Sequence, residues 1–207
     1  MAPGCVDMTS GQGYWREEDG SAVSRDDAEA AWGDAAHARL AQLARSYYAT
    51  IEYGQIAEEI QADTGIRTSV PMRHWIGGVL GRVADLGLAR DEPPLTALVV
   101  QRGTGMVGDG YDYVLSIAGL HPIHDAVERE THAASARLRC YRWAGVPEPT
   151  TGWKAAFAPA LQKSLDWKAA QKSPEAVPVM CPNCFIALPL SGQCDSCGHD
   201  ARRQENP

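Results

Sequence analysis

Apolar residues first fall into register at Ala36, Leu40, Leu43 and Tyr47. Their spacings of four, three and four mark one buried stripe of a helix that Asp34 is placed to cap. A second, shorter helix fits Gln55 to Asp63, with Ile56 and Ile60 inward and Gly65 just beyond its end. A third is predicted from Pro71 to Leu86. Pro71 suits a first turn, Met72, Trp75, Ile76, Val79, Leu80 and Val83 form the apolar face, and Gly87 suits the left-handed residue that ends it. The pattern then shortens. Residues 95–100 are a nearly continuous apolar run of the kind a buried strand shows, and residues 111–117 alternate as a second strand. Between them, residues 102–110 carry four glycines in nine positions and read as a turn or open loop. Residues 121–143 return to a helical period, with Pro122 near the start.

Three helices followed by strand, loop and strand predict an α+β fold: a helical core with a short β-hairpin, winged-helix-like, over residues 34–143. Residues 1–33 show no sustained period and are rich in Gly, Ser, Asp and Glu, so they read as a flexible acidic arm in which Tyr14, Trp15 and Trp32 pack loosely. Residues 144–178 form a linker. Its first part is extended by Pro147, Pro149 and Gly152, and Trp153 to Lys172 reads as a basic amphipathic helix with four lysines, Lys163 among them, against one acid. Residues 179–200 are a separate small module and 201–207 a tail.

Charge sharpens this division. The 207 residues carry 19 Lys+Arg against 26 Asp+Glu, a net −7. Eight of the acids and two of the bases lie in residues 1–34, so the remaining 173 residues are close to neutral. Net acidity excludes a protein that coats nucleic acid by bulk charge. A 44% apolar content excludes wholesale disorder. No apolar run reaches the roughly 18 residues of a membrane helix and no signal-peptide pattern opens the chain, so the expected setting is cytoplasmic, away from membranes.

The most specific chemistry is Cys181-Pro-Asn-Cys184 and Cys194-Asp-Ser-Cys197-Gly198, two CxxC pairs nine residues apart. Each CxxC folds into a tight knuckle with both thiolates on one side, and two knuckles make the tetrahedral four-sulfur site that zinc prefers. The predicted cofactor is therefore one structural zinc per chain, closing a minimal zinc ribbon. The same four thiolates would suit an iron–sulfur cluster, and disulfides are disfavoured by the absence of a secretory signal. Four protein ligands leave no open position for catalysis. Cys5 and Cys140 stand outside the set.

In a winged-helix arrangement Arg73, His74 and Arg82 on the third helix face DNA and Arg102 sits on the wing, with Lys163 adding charge from the linker. His124, Glu128 and His132 fall at i, i+4 and i+8 of the last helix. With His121 nearby they offer a second metal or acid–base site. Asp109 and Asp112 flank Tyr111 and read as turn chemistry.

Two resemblances extend this reading. Glu52-Tyr-Gly-Gln-Ile-Ala57, then Gly77-Gly-Val-Leu-Gly81, then the Gly-rich turn ending in Gly110-Tyr111 resemble the DNA-binding half of the alkyltransferase-like family. That family's alkyl acceptors carry Pro-Cys-His-Arg before the turn. Here the position reads Val99-Val-Gln-Arg102, with no thiol to accept an alkyl group, so the resemblance implies architecture without that activity. Pro93-Pro-Leu-Thr-Ala-Leu-Val-Val100 with Gly105-Met-Val-Gly-Asp-Gly-Tyr111 is similar to an uncharacterised domain of actinobacteria and phages, found with some HNH nucleases. No His-Asn-His pattern accompanies it here, so it implies no nuclease.

The expected function is that of a non-enzymatic bacterial or phage protein that contacts nucleic acid through its core and ribbon. A protein–protein adaptor or inhibitor is the alternative.

Overall fold

The structure is a computed structural model that describes residues 13–155, 157, 161–163, 165–167, 180–189, 191 and 193–200. The chain divides into two compact units, Met1–Ser164 and Leu165–Pro207.

The first unit opens on a hairpin. β1 (Tyr14–Arg16) pairs antiparallel with β2 (Ala22–Val23) through a turn closed by Gly20 N–H donating to the Arg16 carbonyl at 2.9 Å. Ser24 then caps α1 (Arg25–Leu43), its hydroxyl accepting from the Asp27 amide, and Asp26 and Asp27 suit the positive end of the helix dipole. The buried stripe of α1 is Ala28, Trp32, Ala36 and Leu40, all fully buried at intervals of four. Trp32 donates its indole N–H to the Ile66 carbonyl at 3.3 Å and packs on Trp75 at 4.5 Å between ring centroids. The expected acidic arm is corrected accordingly. Residues 14–33 are a hairpin and the first half of a helix, and Trp32 is a core residue. Met1–Gln12, with Cys5, lie outside the described residues.

β3 (Ile51–Glu52) leads into α2 (Tyr53–Thr64), which ends on Gly65 at φ +63°, as its position in the sequence predicts. Nothing approaches within 4 Å of a Cβ built there, so the constraint is the backbone alone. Gly65→Ala is expected to lower stability by about 1 kcal/mol in urea unfolding. β4 (Ile66–Thr68) returns to pair antiparallel with β1, completing a sheet of order β2-β1-β4.

A 3-10 turn, Met72–His74, precedes α3 (Ile76–Ala89). The break falls at Trp75, whose indole N–H is held by the Val70 carbonyl at 3.0 Å. At the far end α3 runs past Gly87, and it is Asp91, at φ +54°, that takes the left-handed conformation. Helices α1 and α3 pack closely because Gly33 and Gly78 lack side chains. A Cβ on Gly33 would meet the Arg82 Cβ at 3.2 Å, and one on Gly78 would meet the Glu29 carboxylate at 2.5 Å.

Residues 95–117 depart from expectation. Leu95–Leu98 is a 3-10 turn, with only β5 (Val99–Val100) extended, and β5 pairs in parallel with β3. An apolar run of this length does not distinguish a strand from a buried helical turn. Residues 111–117 are not a strand but α4 (Tyr111–Ile117). Tyr111, Val114 and Leu115 are its buried positions, an i, i+3, i+4 set that coexists with the alternating one. The predicted wing hairpin therefore does not form at residues 95–117, and its place is taken by the Gly-rich loop and α4. The α+β class holds, with helices dominating two small sheets among the described residues.

Asp125 caps α5 (Ala126–Trp143), accepting from the amides of Val127 and Glu128 at 3.0 and 2.8 Å. Residues 153–155 are not helical. Trp153 packs edge-on against Tyr47 at 5.5 Å, with the Arg142 guanidinium over its ring. Helix appears at residues 161–163 and 165–167, and the remainder of the expected basic helix lies outside the described residues. Among the described residues no helix is long and apolar enough to cross a membrane.

Candidate metal centre and core cleft

The second unit is built on two matching knuckles. In the first, the Cys181 amide donates to the Ile186 carbonyl and the Phe185 amide to the Cys181 carbonyl, at 2.8 and 2.9 Å. In the second, the Cys194 amide donates to the His199 carbonyl and the Gly198 amide to that of Cys194, at the same two distances. Antiparallel bridges Met180↔Ala187 and Gln193↔Asp200 close the two loops. The residue after each second cysteine takes positive φ, Gly198 at +70° and Phe185 at +57°.

The four Sγ atoms of Cys181, Cys184, Cys194 and Cys197 lie within 4.8 Å of one another and could hold a metal ion. Across the knuckles, Cys181 is 3.5 Å from Cys197 and Cys184 is 3.3 Å from Cys194. The amides of Cys197 and Ser196 draw the Cys194 thiol down to about 6. A hydrogen bond to Cys194 pushes Cys184 up to about 12. The opposed shifts show neighbouring thiols sharing protons, with Cys194 favouring the thiolate and Cys184 the thiol. A cation among them would favour the thiolate at each, and protein sulfur supplies four ligands.

The histidine cluster of the sequence does not assemble. Because α5 begins at Ala126, His121 and His124 precede the helix and do not share its face with Glu128. His132 is turned instead to Tyr111, whose hydroxyl lies 3.0 Å from Nδ1, and burial lowers its pKa. Among the described residues the four cysteines form the one group of three or more His, Cys, Asp or Glu placed to share an ion.

The first unit carries an open cleft of about 960 Å³. The start of α2, the 3-10 turn before α3, one face of α3 and the Gly-rich loop all contribute to it. Tyr53, Met72, Ile76, Val107 and Tyr113 give it an aromatic and apolar lining, and among the described residues no Cys or His lines it. Burial raises the Tyr53 phenol above its ordinary value, and a Cβ on Gly108 would stand 3.1 Å from that hydroxyl. Tyr113 donates to Asp85 at 2.7 Å. Thr96 lines the cleft with a buried hydroxyl that has no hydrogen-bond partner among the described residues.

Arg73 and Arg102, singled out in the sequence, both reach this cleft. The Arg102 side chain is 90% exposed and stands 3.9 Å from Glu52. His74 and Arg82 do not line it. The His74 carbonyl accepts from Arg25 at 2.9 Å, and Arg82 stands 3.7 Å from Asp26, so both adjoin the acidic start of α1. Lys163 is exposed on the helical residues 161–163. Asp109 accepts from Arg129 at 2.7 Å, which ties the loop to α5.

Sequence reasoning does not find Tyr53, Thr96 or the fully buried pair Glu130 and Arg137. The last two leave a trace. They stand seven residues apart, two helical turns, on a face otherwise made of Ala133, Ala134 and Cys140. Comparisons of the chain with family models, with curated proteins and with solved structures give no match.

Proposed function

We propose that this is a non-enzymatic nucleic-acid-binding protein, with a core that grips the sugar–phosphate backbone at the cleft and a ribbon held by one structural zinc. The observation that carries the reading is the convergence of Arg73 and Arg102 on one open cleft from separate elements. Two guanidinium groups at its edge suit phosphate, and the aromatic lining suits a base turned out of its stack. The cleft volume lies at the upper end of the roughly 300–1,000 Å³ of small-ligand sites. The lining also carries Glu52, Glu58 and Asp109, with Glu52 3.9 Å from Arg102 and Asp109 paired to Arg129. The absence of Cys, His and Lys among the described lining residues favours recognition over group transfer. The resemblance of residues 52–111 to the DNA-binding half of alkyltransferase-like proteins points the same way. For the ribbon, four closely grouped thiolates favour zinc, and a closed ligand set favours a structural role.

Fluorescence anisotropy with a labelled DNA duplex tests this over a range of salt. Binding should weaken steeply with salt. Arg73→Glu with Arg102→Glu should cost at least tenfold, and the salt slope should drop by about one for each phosphate no longer neutralised. No binding at low salt would sink the proposal. The adaptor reading would then stand, favoured by Phe185, an aromatic ring 75% exposed on the ribbon.

A further inference from the structure

The Gly-rich loop that walls the cleft is held by a buried ion pair on α5, and we propose that Glu130, clamped by Arg137, is the positioning residue that shapes the cleft for an unpaired base. This rests on the nucleic-acid reading of the cleft and deepens it.

Both carboxylate oxygens of Glu130 are engaged. Oε2 accepts from the Val107 amide at 2.8 Å, and Oε1 accepts from the Arg137 guanidinium. Arg137 also donates from Nη1 to the Ala97 carbonyl at 3.0 Å. One pair on α5 thus fixes two separate segments of cleft wall, the loop at Val107 and the 3-10 turn at Ala97, next to Thr96. Both side chains are fully buried. A turn before Arg137, Ala133 is fully buried, and Arg129 reaches Asp109 at the outer end of the same loop.

The chemistry explains why a charge is used here. A loop with glycines at 103, 105, 108 and 110 has wide conformational freedom, and its entropy opposes any one shape. A charge-assisted hydrogen bond inside an apolar interior is short, directional and costly to break. An apolar contact would hold the loop near α5 without fixing the height of Val107 and Gly108 along the wall. Gly108 faces the Tyr53 hydroxyl, so a shift of about 1 Å there changes the gap that a base must enter.

The test uses the full chain and two DNA duplexes, one fully paired and one with a single unpaired base. The wild-type protein should prefer the unpaired-base duplex by at least tenfold. Replacing both charges together, Glu130→Leu with Arg137→Leu, removes the clamp without stranding either charge. That variant leaves the Val107 amide and the Ala97 carbonyl without these partners, so its melting midpoint should fall while it stays folded at the assay temperature. It should bind the paired duplex within twofold of wild type. Its preference for the unpaired base should fall to about one. A merely structural role would weaken both duplexes alike and leave the preference intact. That result would overturn the assignment of Glu130.

Hydrogen exchange on the wild-type protein gives a second readout that does not depend on the variant folding. The Val107 amide should be the slowest in the loop and should slow at least tenfold further with the unpaired-base duplex. Fast exchange at Val107 would also overturn the assignment. Wild-type protein that binds neither duplex would instead overturn the nucleic-acid reading itself, and equal binding to both would remove the base from the cleft.

Discussion

Protein purified without chelator should contain one zinc ion per chain, and Cys181→Ser or Cys194→Ser should abolish it. The expected effect is large because Cys181 and Cys194 are the buried residues among those described in the second unit, and neither supplies an apolar core. Burial of so little surface contributes almost nothing against the entropy of ordering the two knuckles. Metal binding must supply the folding free energy, which for structural zinc in small modules is roughly 10–16 kcal/mol near neutral pH. Metal analysis gives the stoichiometry. Adding EDTA while recording an amide spectrum gives the consequence: signals from residues 180–200 should collapse into the unfolded region, while those of the first unit stay dispersed. A ribbon that keeps its dispersed signals without metal would refute this account. Iron in place of zinc would keep the four-sulfur site and change the ion.

Arg137→Met should cost about 3–5 kcal/mol, the second largest effect expected from a single change. The substitution keeps most of the side-chain volume, so a cavity is not the reason. It leaves the Glu130 carboxylate fully buried with its cationic partner gone, and it orphans the Ala97 carbonyl. At roughly 2–4 °C per kcal/mol for a chain of this size, the midpoint should fall by about 6–20 °C. Urea unfolding at neutral pH checks the figure. The comparison with the doubly substituted variant carries the physics: it strands no charge, so it should cost less than Arg137→Met even though the Val107 amide and the Ala97 carbonyl lose their partners. A single-variant cost below about 1 kcal/mol would mean that water reaches the pair.

Which features are legible in the sequence follows from how far apart their causes lie. The second helix and its terminal Gly65 depend on neighbours within one or two turns, and sequence pattern and structure agree there within two residues. The four cysteines are equally local, since each knuckle is closed by hydrogen bonds spanning at most five residues. The segment 14–33 is illegible locally because its order comes from a distance. β1 is held by β4, and Trp32 is enclosed by Ile66 and Trp75. Surrounding acids hide the stripe of Ala28 and Trp32 when only local polarity is weighed. At 111–117 the two periods overlap, and packing of Tyr111, Val114 and Leu115 decides for helix. In the cleft, Arg73 and Arg102 can be found from sequence because they are cations on expected surface elements. Glu130 and Arg137 escape because charged residues in a polar helix read as solvated, and nothing local shows that they neutralise each other.

The central strand of the three-stranded sheet has a consequence in time. Trp15 pairs with Arg67, so β1 leaves the ribosome long before its second partner, β4, exists. At about 5–20 residues per second, the delay is roughly 3–10 s. Through that interval Tyr14 and Trp15 have the two-residue strand β2 beside them and, once α1 is made, Trp32 at 5.7 Å from the Tyr14 ring, and an isolated hairpin is marginal in water. The nascent chain therefore presents an adhesive aromatic edge at β1, which a holdase chaperone is suited to cover until β4 arrives.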